Sequence, residues 1–304
     1  MLKDWISAAR PRTLPVSAGP VIAATAFAWH NQNFRWVPAL LCLMFALLAQ
    51  IASNLANDYF DFKKGSDKSG RVGPRRAVVS GDISPRTMLS ATLITLGTAC
   101  LFGCGLIWYT GWWLIPAGIL IALFALAYTA GPYPLSYHGL GDITVFVFFG
   151  LVAVNLTYYV QALTFDMDVF LSSIAIGLLS VNVLIVNNYR DMEDDKDAHK
   201  KTTVVLFGRK TMGIIYLLNG LLAVILTWPV WKLSTIFPVL VPFLFMVLHY
   251  ASWRALLQLK GKELNKVLGR TARNLLIFTL LITITLICFC LLYTSDAADD
   301  TPCV

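Results

Sequence analysis

The chain has 304 residues, of which 57% are hydrophobic and 13% charged, against roughly 25% charged in an ordinary soluble domain. That balance excludes a soluble globular enzyme and leaves no room for a separate soluble domain. The net charge of +7 would suit a nucleic-acid partner, but the cations are distributed as in a membrane protein, and no nucleic acid is expected.

Apolar runs long enough to cross a bilayer, about 17–25 residues each, fall at 13–30, 37–57, 87–108, 112–129, 142–162, 169–189, 210–230, 234–253 and 272–293. The expected fold is all-α, a polytopic membrane protein of nine transmembrane helices in one domain over 1–293. Two four-helix halves plus a ninth helix describe it. Pro20, Pro116, Pro229 and Pro242 are placed to kink or end helices, which a bundle tolerates when neighbours satisfy the freed backbone groups. With nine crossings, the N-terminus and the loops after helices two, four, six and eight share one side. Of the 24 Lys and Arg, all but Arg35 and Lys232 fall on that side, which the positive-inside rule makes cytoplasmic. The six cysteines read as small hydrophobes without a disulfide. No removable signal peptide is expected. Residues 294–304 turn acidic and receive no role.

Two polar clusters interrupt this apolar background. Asn54-Leu55-Ala56-Asn57-Asp58-Tyr59-Phe60-Asp61 closes the second run and opens a loop crowded with Lys63, Lys64, Lys68, Arg71, Arg75 and Arg76. Helical spacing sets Asn54 beside Asp58 and Asn57 beside Asp61. Far downstream, Asn187, Asp191 and Asp195 form one stripe at i, i+4 and i+8, with Asn188 alongside and Arg190, Lys200 and Lys201 nearby. Both clusters emerge on the cation-rich side.

Carboxylates and amides at the membrane end of a helix are costly without a partner. A hard divalent cation such as Mg²⁺ suits them, because it takes oxygen ligands and shares them with a substrate phosphate. The carboxylates then hold the metal, the metal neutralises a diphosphate leaving group, and Lys and Arg complete the cradle. A solvated acidic loop explains one such cluster as well, but not two on one face. A secondary transporter is the rival from another class. Its acids would belong at mid-membrane rather than beside basic loops at helix ends. The stretch that marks CDP-alcohol phosphotransferases is absent.

These two runs resemble the first and second aspartate-rich motifs of the UbiA superfamily of intramembrane prenyltransferases, from about Arg10 to the ninth helix. Three further stretches resemble the naphthoate-prenylating branch: Ala9-Arg10-Pro11-Arg12-Thr13-Leu14-Pro15, Lys64-Gly65-Ser66-Asp67 with Gly73-Pro74, and Gly139-Leu140-Gly141-Asp142 leading into Val145 to Gly150. One departure concerns the first motif, where Gly65 stands at the usual position of a further Asp and Asp67 is the nearest acid.

The resemblance implies transfer of a polyprenyl group from polyprenyl diphosphate to 1,4-dihydroxy-2-naphthoate, with loss of CO₂ and diphosphate, giving demethylmenaquinone. Other aromatic acceptors, 4-hydroxybenzoate or homogentisate, are the alternatives. It implies a bacterial inner-membrane enzyme with its active site facing the cytoplasm. Asp58, Asp61, Asp191 and Asp195, with Asn54, Asn57 and Asn187, would hold Mg²⁺. Lys68, Arg71, Arg75, Arg76, Lys200 and Lys201 would contact the diphosphate. Arg10, Arg12, Tyr128, Tyr133 and Asp142 are the acceptor candidates. Against these stand plainer readings: Arg10 and Arg12 as topology determinants, Asp142 as a helix N-cap, and the tyrosines, with Tyr137, as interfacial residues. His138 reads as a loop residue, and Asp82-Ser84-Pro85 as a helix start. Trp108, Trp112, Trp113, Trp228 and Trp231 read as an aromatic belt at the far boundary.

Overall fold

The computed structural model describes residues 2–66, 72–233 and 239–299, with side chains described through residue 288. The candidates Lys68 and Arg71, with Asp67, lie outside the described residues, as does the end of the acidic tail. Among the described residues every regular element is helical. In chain order they are α1 (Leu2–Ala9), α2 (Pro15–His30), α3 (Trp36–Lys63), α4 (Pro85–Thr110), α5 (Leu114–Ala127), α6 (Gly141–Val145), a π-helical stretch (Phe146–Val152), α7 (Ala153–Ala162), α8 (Met167–Asp197), α9 (Thr203–Leu226), α10 (Trp228–Trp231), α11 (Leu240–Gln258) and α12 (Leu264–Asp299). α6, the π stretch and α7 form one rod.

Seven of the described helices are long and apolar enough to cross a bilayer. α2 and α5, of 16 and 14 residues, supply the other two segments expected from hydropathy. The boundaries differ most at the polar clusters. α3 runs on to Lys63 and α8 to Asp197, so both clusters are helical rather than the start of loops. Hydropathy marks only the length that faces lipid. The helix continues past it because cations and neighbouring backbone satisfy its carboxylates. α1 had no signal in the apolar pattern. It is an amphipathic helix of eight residues whose Trp5 and Ala8 pack on Leu55, Ala77, Val78 and Met88.

α8 is the most buried span. It packs on α9, the π stretch, α12 and α2. At its crossing with the π stretch two glycines meet. A Cβ on Gly150 would lie 2.6 Å from the Gly177 Cα and 2.7 Å from the Ser173 carbonyl oxygen. This is the small-residue contact that lets membrane helices approach closely. Side-chain hydrogen bonds tie the far half together: Asn182 donates to the Tyr216 carbonyl at 3.0 Å, and Asn219 donates to Asn182 at 2.9 Å. His249 sits in the notch left by Gly220, with Nε2 3.1 Å from the Tyr216 carbonyl oxygen.

The helix ends follow local rules. Ser84 accepts from the Thr87 N–H at 3.2 Å, and Pro85 occupies the first turn of α4, as the sequence predicts. Asp166 caps α8 through the Val169 N–H and also accepts from Asn31 at the end of α2. The aromatic belt needs one correction. Trp108, Trp112, Trp113 and Trp228 are exposed, but Trp231 is fully buried, edge-on to Phe278. The α10 turn folds it inward, a reversal that hydropathy cannot register.

Because the nearest atoms are all α8 backbone, Gly150→Ala has no flexible neighbour to displace. We expect it to destabilise the bundle by about 1–3 kcal/mol or more, as overpacking does. Gly118→Ala, whose Cβ meets nothing within 4 Å, should be tolerated. Thermal unfolding of the two variants in detergent checks the contrast; equal midpoints would refute it.

Candidate active site

A cavity of about 580 Å³ opens where the ends of α3 and α8 converge. Its polar end is walled by Arg10, Asn54, Asn57, Asp61, Arg76, Asn187, Asn188, Asp191, Asp195 and Lys200. Its apolar end runs between α3, α4, α5 and α7, past Phe45, Gly103, Leu106, Gly118 and Phe148. Two segments more than a hundred residues apart thus share one wall, as their composition led us to expect.

Asp61 is the most heavily partnered acid of the first cluster. Lys200 Nζ lies 3.1 Å from its Oδ2, Arg76 Nη2 lies 4.0 Å from the same oxygen, and the Tyr137 hydroxyl donates to Oδ1 at 2.7 Å. Lys64 and Lys200 each sit 4.6 Å from the Tyr137 ring centroid, a cation–π arrangement. Burial pulls the Lys64 ammonium below its ordinary pKa, with Asp61 opposing the shift and Lys200 adding to it. Lys64 also donates to the Thr129 carbonyl at 2.7 Å. Tyr137 is therefore an organising residue, which the sequence offered only as one of three interfacial tyrosines.

Asp58 lies one turn away and turns off the cavity. Its Oδ2 accepts from the Ala77 N–H at 3.1 Å, and its Oδ1 is buried without a hydrogen-bond partner. In the second cluster, Arg190 grips Asp191 with both arms, at 2.7 Å from Nε to Oδ1 and 2.6 Å from Nη2 to Oδ2. It also donates to Asn187 and to Asn265 on α12. Sequence reading counted Arg190 only as added positive charge. Adjacent side chains on a helix do not normally face each other, so its position next to Asp191 gave no sign of a bidentate pair. Asp194 Oδ2 accepts from the Val72 N–H at 3.4 Å, so the chain following α3 reaches across to α8.

The N-terminal segment closes the polar end. Arg10 adopts left-handed backbone at φ 52°, uncommon outside glycine. The Thr13 hydroxyl and N–H both hold its carbonyl at 2.9 Å. The guanidinium donates to Asn57 Oδ1 at 2.7 Å, and Asn54 donates to the Ala9 carbonyl at 3.0 Å. Arg10 therefore belongs to the site and is more than a topology determinant.

Tyr128 and Asp142 also line the cavity. Asp142 does not cap its helix. Its Oδ2 accepts from the Thr203 hydroxyl at 2.6 Å, and the N-cap position belongs to Leu140. Four candidates fall elsewhere. Arg12 is exposed at the surface. Arg75 pairs with Asp82 at 2.7 Å on the outside. Tyr133 is exposed and stacked on His138. Lys201 borders a separate small hollow beside Tyr137. None of the four lines the main cavity.

Among the described residues, no three His, Cys, Asp or Glu come together as a metal cage. Mg²⁺ does not need one. It uses one or two carboxylates and completes its shell with water and substrate phosphate. Asp61, Asp191, Asp195 and the four asparagines bring carboxylate and amide oxygens to that wall, whereas Asp58, expected as a ligand from its helical spacing, is held off the cavity by the Ala77 N–H. The residues present fit that chemistry.

Residues 17–268 match the model of the UbiA prenyltransferase family. The chain is 42% identical over 212 residues to the 1,4-dihydroxy-2-naphthoate octaprenyltransferase of Escherichia coli, covering 67% of this chain and 68% of that one. It is 43% identical over 222 residues to the protein of the same name from Mycobacterium tuberculosis, covering 73% and 75%. A solved UbiA homolog from Archaeoglobus fulgidus, bound to DMAPP and Mg²⁺, superposes with a TM-score of 0.64 at 16% identity, over 92% of this chain and 99% of that one. The UbiA homolog from Aeropyrum pernix gives 0.66 at 14% identity, over 90% and 97%. With the all-helical bundle and the convergent acid clusters already in place, the family match over most of the chain makes this protein a membrane prenyltransferase of the UbiA family.

Proposed function

We propose that the protein transfers a polyprenyl group from polyprenyl diphosphate to 1,4-dihydroxy-2-naphthoate, with loss of diphosphate and CO₂, as the step that yields demethylmenaquinone in its reduced, quinol form. The observation that carries this reading is the two-ended cavity, with carboxylates, amides and cations at one end and apolar side chains at the other. The names of the relatives support the acceptor. A diphosphate fits the polar end and an isoprenoid chain the apolar end.

Mg²⁺, when bound, supplies positive charge that holds the diphosphate and stabilises it as a leaving group. Asp61, Asp191 and Asp195 with Asn54, Asn57 and Asn187 are the ligand candidates; Asp58 is turned off the cavity behind them. Lys200 and Arg76 already stand within 4.0 Å of Asp61, so they are placed to exchange a carboxylate partner for phosphate oxygens. Arg10 is the acceptor's carboxylate anchor, since its guanidinium faces the cavity beside Asn57. The surrounding bundle keeps water from the allylic cation that forms as the carbon–oxygen bond breaks. The cation-rich end faces the cytoplasm of a bacterial inner membrane, and residues 1–293 form the catalytic unit.

Purified protein supplied with a polyprenyl diphosphate and a small panel of aromatic acids tests this directly. A product whose mass combines prenyl gain with CO₂ loss, formed only with Mg²⁺, is the expected result. Asp61→Asn and Asp191→Asn should each lower kcat about 10²–10³-fold, the scale of losing one electrostatic stabiliser; undiminished turnover in either removes it from the metal site. Arg10→Ala should raise the naphthoate KM about 10–100-fold, the equivalent of one charged hydrogen bond. The exposed Arg12→Ala should leave KM near wild type. A reversed order would place the acceptor elsewhere.

A further inference from the structure

We propose that Asp142 is the general base of the transfer and takes the proton of the acceptor's hydroxyl on its Oδ1 oxygen. The inference rests on the aromatic-acceptor reading above and names the residue that activates that acceptor.

The local backbone is built to present this side chain. Gly139 turns at φ 77°, where an added Cβ would also press on Leu206 and on the Lys201 carbonyl. A Cβ on Gly141 would lie 3.4 Å from the Tyr128 hydroxyl. The Gly-Leu-Gly turn therefore brings the first turn of α6 close against α5 and the start of α9, and Asp142 lines the cavity there. The break at Gly208, φ 79° and ψ 160°, separates the first turn of α9 from its membrane-spanning length. That turn carries Thr203, whose hydroxyl fixes Asp142 Oδ2 at 2.6 Å.

The other oxygen is left over. Asp142 Oδ1 is buried with no hydrogen-bond partner, and so is the hydroxyl oxygen of Thr202, which lines the same cavity. Buried polar atoms are nearly always satisfied, and an unsatisfied one costs about 1–3 kcal/mol. Unmet oxygens on a cavity wall persist where a ligand completes them. An acceptor-only carboxylate oxygen on that wall suits an incoming O–H group. Charge separates Asp142 from the other acids of the wall. Asp61 faces Lys200, and Asp191 faces Arg190. Among the described residues no Lys or Arg pairs with Asp142, and Tyr128 is the titratable neighbour across from it. A carboxylate gripped by a cation is a poor proton acceptor; Asp142 is not so gripped.

The step balances. The acceptor's O–H proton passes to Asp142 Oδ1, and the bonding pair stays on the oxygen. That charge feeds the ring carbon bearing the carboxylate, which forms the new bond to C1 of the prenyl chain. The C1–O pair leaves with the diphosphate. As the ring loses CO₂, the carbon–carboxylate pair restores aromaticity and the oxygen recovers its proton from Asp142.

The test is Asp142→Asn assayed with naphthoates of graded hydroxyl acidity. With the parent acceptor, kcat should fall about 10²–10⁴-fold, the range for general-base catalysis, with the donor KM unchanged. With an acceptor already ionised at the assay pH, the deficit should shrink to a few-fold. Wild-type turnover by the variant, or a deficit of equal size across the series, overturns the base assignment. Should that variant fail to fold, Thr203→Val retains the carboxylate and removes its clamp. It should show the same dependence on acceptor acidity in weaker form, and no such dependence overturns the proposal. Wild-type protein active only on a different aromatic overturns the naphthoate assignment alone, and the same variant series then tests Asp142 on that aromatic. Wild-type protein inactive on every aromatic overturns both.

Discussion

The contact between Lys200 and Asp61 joins two segments that neither hydropathy nor local spacing connects. An ionised carboxylate near the apolar region is costly unless a cation and hydrogen bonds meet it. Asp61 is 1% exposed in side-chain area, and its partners come from the end of α8, from the chain before α4 and from the loop after α5. Its burial therefore draws three separate loops to one point. Asp191 solves the same problem differently, through Arg190, its immediate neighbour in sequence. Arg190 spends its remaining donors on Asn187 and Asn265, so α8 is locked to α12 at the same level.

A second constraint sets the shape of the apolar end. The Gly150–Gly177 crossing lets the π stretch lie against α8 with backbone nearly touching backbone. A π-helical segment carries one extra residue per turn and is common at functional sites. Here it lies directly beyond Asp142 and presents Phe148, Phe149 and Val152 to the cavity. The close crossing on one side and the thin, poorly buried α5 on the other leave space between them, and that space suits a hydrocarbon chain. The polar and apolar ends of one cavity are thus each fixed by their own packing rule.

The partners seen for the acids also describe how the site stands before substrate arrives. Lys200 and Arg76 neutralise Asp61, and Arg190 neutralises Asp191, so the polar end holds its charges in pairs. Asp142 stands outside these ion pairs; the Thr203 hydroxyl donates to its Oδ2.

Much of this was legible in the chain itself. Membrane character, the apolar segments, the Ser84-Pro85 helix start and the two asparagine–aspartate stripes all follow from residue type at a fixed local period. Those features depend on neighbours within a few residues, so a linear reading reaches them. Which basic residues belong to the site was not legible. Arg75 and Arg76 are adjacent, yet one faces outward to Asp82 and the other lines the cavity. Arg10 and Arg12 divide in the same way, and Trp231 leaves the belt its neighbours occupy. Nor could spacing single out Tyr137, Arg190 or the free oxygen of Asp142. A helix fixes the angle between its own side chains, but not which face it turns to its neighbours. That rotation is decided when the helices pack and their buried charges find partners from distant loops.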